Sequence, residues 1–226
     1  MEYEKWKAFY RSIINDFGYS EDEDIESAKI LDNILRNKDV DVVFKRLRSL
    51  INGKEVVVFG AGPSLLKSID KYRKLIERLT KISADGATSA LLEKGITPDI
   101  VITDLDGKIE DLLKADEKGS IVVIHAHGDN MDKIKEFGSK FSNTIGTTQV
   151  DSSKFERLFN FGGFTDGDRA AFLAKALNAS KIYLIGFDFD GEIGEYSFTR
   201  DIAIKRKKLE WCRRLLKEID DLVFLT

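Results

Sequence analysis

At 226 residues, 42% hydrophobic and 33% charged, the chain has room for one α/β domain with a small addition, not for two large domains. No apolar run approaches the roughly 18 to 20 residues of a membrane span, and a formal net charge of −3 lacks the basic footprint of a generic nucleic-acid binder. The single cysteine, Cys212, cannot form an internal disulfide and the first residues hold no apolar secretory core, so the expected location is a reducing cytoplasm.

The opening residues read as helices. Trp6, Phe9, Ile13 and Phe17 recur at helical spacing, and Gly18 supplies a stop. Ser20 with Glu23 has the form of a capping box, and Ile25, Ala28, Leu31 and Leu35 carry an apolar stripe beyond it. The acidic run EDEDIE, residues 21–26, suits the first turns of that helix, where the dipole favours anions. A third helix is expected to carry Val43, Leu47 and Leu50. Asn52-Gly53 then breaks the chain, which sets an N-terminal helical region at 1–52 and an α/β domain at 53–226.

Short apolar runs and helical segments alternate from there on. EVVVFG (55–60) reads as a buried strand, followed by the loop AGPSL and a helix around 65–78. TKISADG, IVITDLDG and IVVIHAHGD add three strand-to-loop units. Further strands are expected near 143–147 and in KIYLIGFDFDG near residue 185, then an amphipathic helix around 201–218 and a terminal strand, LVFL. This alternation implies an α/β fold: an open, mostly parallel sheet with helices on both faces.

In such a sheet ligands bind beyond the carboxyl ends of the strands, so the residues after each strand are the inventory of a site. They include Gly60, Gly62 and Ser64; Asp85; Asp104 and Asp106; His125, His127, Asp129 and Asn130; and Asp188 and Asp190. Two carboxylates about 5 Å apart, at an effective dielectric near 20, repel by roughly 3 kcal/mol. A rim with several such pairs asks for cations, and basic residues are sparse in these loops. Asp104 and Asp106, two apart, project to one side if the strand geometry persists, and with Asp85 they make a candidate Mg²⁺ site, since hard cations select carboxylate oxygens. Asp also favours turns and helix N-caps, which is the plain alternative.

Two glycine loops fit anions. GAGPS lacks the third glycine of a dinucleotide fingerprint and the Lys-Ser/Thr of a P-loop, but it follows the first strand, where backbone N–H groups meet phosphates. The loop Asn160 to Arg169 precedes an apolar helix expected to begin near Ala170. Its Gly162 and Gly163 permit backbone shapes that aim N–H groups at an anion, and Arg169 adds a charge suited to phosphate. His125 and His127 come without a Cys cluster or HExxH, so a zinc site is not expected. Lys205 to Lys208 (KRKK) reads as a solvated helix face.

ISADGATSALLEKGITPDIVITDLDG resembles the central block of thiamin pyrophosphokinases, with its Ala-Asp-Gly turn, Pro-Asp strand and Asp-x-Asp. FGGFTDGDRAAFLAKAL loosely resembles the Gly-Gly-Arg-x-Asp-His loop of that fold, with Asp166 in the place of the aspartate. Phe164 stands where the Arg would be, Gly167 where the His would be, and Thr103 replaces the usual Gly before the acidic pair. A fuller likeness is to the archaeal 6-hydroxymethyl-7,8-dihydropterin pyrophosphokinase (MptE-like) family, carried by GAGPSL, SADGA, PDIVITDLDG, HAHGDN, GFTDGDRA and GFDFDG.

That resemblance implies transfer of a diphosphoryl group from ATP to a reduced pterin alcohol, with release of AMP. On it, Asp104 and Asp106 hold Mg²⁺ with Asp85 as a third ligand or a partner through water, and Gly60, Gly62, Ser64, Gly162, Gly163 and Arg169 hold phosphates. His127, Asp129, Phe164 and Asp166 meet the substrate, and Asp168 joins His127 and Asp129 as a candidate to deprotonate its hydroxyl. Two other readings stand beside it: a nucleotide-sugar glycosyltransferase using Asp104-Leu105-Asp106 as a DxD motif, and a non-catalytic nucleotide sensor. Neither nucleic acid nor membrane is an expected partner, and a homodimer stays open because this fold class often dimerises.

Overall fold

The run Glu55–Phe59 forms the first strand, β1, and its side chains alternate between two cores. Val56 and Val58 pack on one face of the sheet, Val57 and Phe59 on the other, the period of two expected of a strand covered on both sides. The computed structural model describes residues 1–190, 192–198 and 201–226. Helices α1 (Tyr3–Phe17), α2 (Glu21–Ile34) and α3 (Val40–Ile51) precede β1. After it come α4 (Leu65–Lys71), α5 (Arg73–Ile76), β2 (Thr80–Ala84), α6 (Asp85–Glu93), β3 (Ile100–Thr103), α7 (Ile109–Glu117) and β4 (Ile121–Ala126). The chain continues through α8 (Met131–Phe137), β5 (Thr144–Thr148), β6 (Leu158–Phe159), α9 (Asp166–Ala176), β7 (Lys181–Ile185), α10 (Ile202–Leu216) and β8 (Leu222–Leu225).

Among the described residues the strands form one sheet in the order β6-β5-β4-β3-β2-β1-β7-β8, every neighbouring pair parallel. The chain steps outward from β1 to β6, then returns through α9 to lay β7 on the far side of β1. That reversal is the switch point, and a crevice lies there over the carboxyl ends of β1, β2, β3 and β7.

The N-terminal helices are a layer of this structure. Trp6, Leu31 and Leu47 share one core with Val58, Val101 and Ile145 of the sheet. Gly18 ends α1 in the left-handed region (φ 70°), its N–H bonded to the Ile14 carbonyl, and the Ser20 hydroxyl accepts from the Glu23 N–H at 3.4 Å to start α2. The opposite face is covered by α4, α5 and α6 over Val57, Phe59 and Ile185.

Three boundaries differ from the pattern in the sequence. The helix expected over 65–78 is broken at Tyr72, whose backbone leaves helical geometry (φ −104°, ψ 15°). The helix expected near Ala170 begins four residues earlier, at Asp166, because Thr165 and Asp168 cap it reciprocally. The two-residue strand β6 carries too little pattern to be read. No helix among the described residues is long and apolar enough to cross a membrane.

Candidate functional site

Asp104 and Asp106 do not continue a strand. β3 ends at Thr103, and the next turn is made by Leu105, fully buried and left-handed at φ 66°. That turn, in place of strand alternation, gathers the acids. The Thr103 hydroxyl accepts from the Leu105 N–H at 2.8 Å and donates to Asp85, the first residue of α6. The Gly107 N–H also donates to Asp85, at 3.2 Å. A Cβ on Gly107 would lie 1.9 Å from Asp85 Oδ1, so any side chain there would have to displace the Asp85 carboxylate. Ligand oxygens of Asp85, Asp104 and Asp106 all lie within 4.8 Å of one another, and Oδ1 of both Asp85 and Asp104 is buried with no hydrogen-bond partner.

The electrostatics of the trio follow from this crowding. Burial raises Asp85 to about 7, with Asp106 and Asp104 adding to the rise against the hydrogen bonds from Thr103 and Gly107. Asp106 reaches solvent, but desolvation and the charge of Asp104 push it up to about 7 as well, eased by Lys133 and Lys205. For Asp104 burial acts upward too, yet the hydrogen bond from His127 and the positive charge of Arg169 outweigh it and hold it well below the usual range. One ionised acid and two neighbours that resist ionisation describe a cluster short of positive charge. Carboxylate oxygens with unsatisfied acceptors fit a hard divalent cation such as Mg²⁺.

A second layer fixes Asp104. The His127 Nδ1 accepts from the Asp129 N–H at 3.3 Å, which leaves the proton on Nε2 to donate to Asp104 Oδ2 at 3.2 Å. Buried Asn130 donates to the carbonyls of Asp104 (2.8 Å) and His125 (2.7 Å) and accepts from the His127 N–H (3.1 Å), tying the ends of β3 and β4 together. Asp24 of α2 reaches across to accept from the Gly128 N–H at 2.8 Å, and it also holds Tyr10 and Gln149. In the sequence Asn130 is one of the residues after β4 with no role of its own, and Asp24 one of the acids that suit the first turns of a helix. Its signal was register, since 24, 28, 31 and 35 fall on one helical stripe.

The glycine loops are arranged differently from the phosphate cradles expected. The Gly60 N–H donates to Ile185 O (2.8 Å), the Gly62 N–H to Gly186 O (2.9 Å), and Ser64 gives both its N–H (3.0 Å) and hydroxyl (2.8 Å) to Asp188 Oδ2. The carboxylate of Asp188 thus occupies the anion position. These glycines let the β1 and β7 loops touch, since a Cβ on Gly62 would sit 2.3 Å from Asp188 Oδ2. In the second loop, Phe164, Thr165, Asp166 and Gly167 line the crevice, whereas Gly162 (φ 86°) packs beside Met1 and Trp6 and Gly163 (φ 97°) against the Arg169 backbone.

Arg169 is buried inside α9 and pairs with Asp166 at 3.0 Å, leaving its Nε without a partner. Asp166 is raised well above the carboxylate range by burial and by Asp104, against the charge of Arg169. Asp168 is also buried, and its Oδ1 takes the N–H groups of Phe164 (3.0 Å) and Thr165 (2.6 Å) and the Thr165 hydroxyl (3.2 Å). Its geometry is that of a helix cap, turned away from the crevice. His125 is buried on Thr147 at 3.0 Å, and burial keeps its imidazole neutral.

The crevice, about 920 Å³ with the solvent at its open mouth included, runs from Gly62 and Phe187 at the switch point to the acidic trio. KRKK is only partly a solvated face. Lys205 and Lys208 line the crevice, while Lys207 pairs with Asp16 at 3.0 Å. Spacing along α10 hid this, because the acids these lysines face lie in another part of the chain. Gly191, the last residue of GFDFDG, lies outside the described residues.

Residues 26–193 match the family model for 6-hydroxymethylpterin diphosphokinase, MptE-like. The chain belongs to that family. It is 46% identical to a 6-hydroxymethyl-7,8-dihydropterin pyrophosphokinase of Methanocaldococcus jannaschii, over 98% of this chain and 97% of that one. Proteins of the same name are 48% identical in Pyrococcus furiosus, over 96% of this chain and 94% of the relative, and 44% identical in Methanothermobacter thermautotrophicus, with the same coverage. Among solved structures, a MAf glycosyltransferase from Magnetospirillum magneticum aligns at a TM-score of 0.43 and 16% identity, over 80% of this chain and 37% of that one. A likeness of that extent bears on neither fold nor reaction.

Proposed function

We propose that the chain is a Mg²⁺-dependent diphosphokinase that transfers the diphosphoryl group of ATP to the hydroxymethyl oxygen of 6-hydroxymethyl-7,8-dihydropterin. The hydroxymethyl oxygen forms a bond to the β-phosphorus, the bond from that phosphorus to the α,β-bridging oxygen breaks, and AMP leaves as the hydroxyl proton is lost. The names of the relatives support the acceptor. The observation that carries the reading is the trio of Asp85, Asp104 and Asp106 at the carboxyl edge of a parallel sheet, with unsatisfied oxygens beside a crevice that two lysines enter.

Asp85, Asp104 and Asp106 would hold the cation, which when bound neutralises charge on the phosphate oxygens. The protein's own part is positioning. His127 and Asn130 fix Asp104, Thr103 and Gly107 fix Asp85, and Lys205 and Lys208 bring positive charge to the polyphosphate side. Incubation with ATP, Mg²⁺ and the pterin alcohol should yield AMP and the pterin diphosphate in equal amounts. Formation of ADP in place of AMP, or no consumption of ATP, would sink the proposal.

A further inference from the structure

Two chambers meet at Asp104. One is the large crevice. The other lies under the turn between α1 and α2, walled by Tyr19, Glu23, His127, Asp129, Phe164 and Arg169, and it shares Asp104, Phe164 and Lys208 with the crevice. Their linings differ in chemistry. Lys205 enters only the crevice, whereas Glu23, Asp24 and Asp129 line only the second chamber. Both linings are acidic, but the acids of the crevice include the candidate cation site, so a cation-bound polyphosphate is matched there. Glu23 and Asp129, outside that trio, match a neutral molecule with N–H donors along an edge.

The second chamber also holds an unspent donor. The Arg169 side chain is only 8% exposed, Asp166 fixes its Nη1 end at 3.0 Å, and its buried Nε–H has no partner. A guanidinium so fixed calls for a carbonyl or ring-nitrogen acceptor, because an unmade bond at a buried charged donor is costly. Tyr19 and Phe164, 6.5 Å apart between ring centres, give the chamber an aromatic wall. Asp24 is spent on Tyr10, Gln149 and Gly128, so the acids with exposed carboxylates are Glu23 and Asp129.

We propose that this second chamber is the acceptor subsite. It takes a flat, neutral heterocycle whose amino and ring N–H groups face Glu23 and Asp129, whose acceptor edge faces Arg169, and whose alcohol reaches Asp104. ATP is thereby left to the crevice. The proposal rests on the diphosphokinase reading and adds that the N-terminal helices, through Tyr19 and Glu23, select the acceptor.

Steady-state kinetics with each substrate varied in turn test it. Glu23→Gln, a change at an exposed position, should raise KM for the pterin alcohol about tenfold and leave KM for ATP within about twofold. Lys205→Met should do the reverse. Binding of oxidised 6-hydroxymethylpterin, followed by its own fluorescence without nucleotide, should weaken in Glu23→Gln and Asp129→Asn but not in Lys205→Met. An active wild type with unchanged pterin KM and binding in Glu23→Gln and Asp129→Asn, or with both KM values raised together, would overturn the subsite alone. A wild type that makes no AMP with the pterin would overturn the reaction, and the fluorescence arm would still decide whether this chamber binds the heterocycle.

Discussion

Thr103 sits where the outer members of a strand become a turn, and its hydroxyl serves two groups at once. It accepts from the Leu105 N–H and donates to Asp85, with the residue fully buried. Thr103→Val keeps the shape and removes both bonds, leaving the buried Leu105 N–H unpaired and Asp85 Oδ2 with the Gly107 N–H alone. Denaturant unfolding of the metal-free protein should show a loss of about 1 to 3 kcal/mol. Gly107 acts on the same carboxylate by leaving room. The Cβ of Gly107→Ala would displace Asp85 Oδ1, so the Mg²⁺ concentration giving half-maximal activity should rise about 10- to 100-fold while ATP saturation at high Mg²⁺ changes little. An unaltered Mg²⁺ titration would remove Asp85 from the metal set.

At the scale of elements, α9 shows how a cap can look like a catalytic group. Asp168 follows Asp166 in a glycine loop, a pattern compatible with substrate contact, yet its carboxylate closes the first turn of the helix by taking three donors from Phe164 and Thr165. Asp168→Ala should therefore lower stability by about 1 to 2 kcal/mol. In the fraction that remains folded, kcat should stay within about fivefold of wild type, whereas a residue acting on the substrate costs far more. The strands were legible because Val56 to Phe59 and Ile100 to Ile102 are apolar on both faces, as burial in a parallel sheet requires. The ends of α1 and α2 were legible because Gly18 and Ser20 act on their immediate neighbours. The partners of Asp24, Asn130, Asp188 and Lys205 were not, since each lies on another element and no local pattern encodes such a pairing. GAGPS shows the same limit: a loop that suits phosphate in sequence spends its N–H groups on the neighbouring loop and on Asp188.

At the scale of the whole molecule, the acidic cluster couples folding, protons and cation. Asp85 and Asp106 titrate near 7 in the folded, metal-free protein, against 3.8 for an ordinary Asp. The native state then binds more protons than the unfolded chain between about pH 4 and 7, so these two groups make stability fall as pH rises through that window. Asp104 acts in the opposite sense. Its depressed pKa adds stability above the ordinary value, and that contribution is lost as pH falls through the depressed one. A divalent cation binds only the ionised carboxylates, so at low pH it must displace protons from Asp85 and Asp106, and at high pH it relieves a repulsion already present. The rise in melting temperature on adding Mg²⁺ should accordingly be small near about pH 5 and grow steeply to about pH 8. In Asp85→Asn that growth should shrink, because one of the two displaced protons is gone. Thermal unfolding in EDTA and in Mg²⁺ across this range measures both, and a Mg²⁺ effect that is flat with pH would place the cation on groups other than this trio.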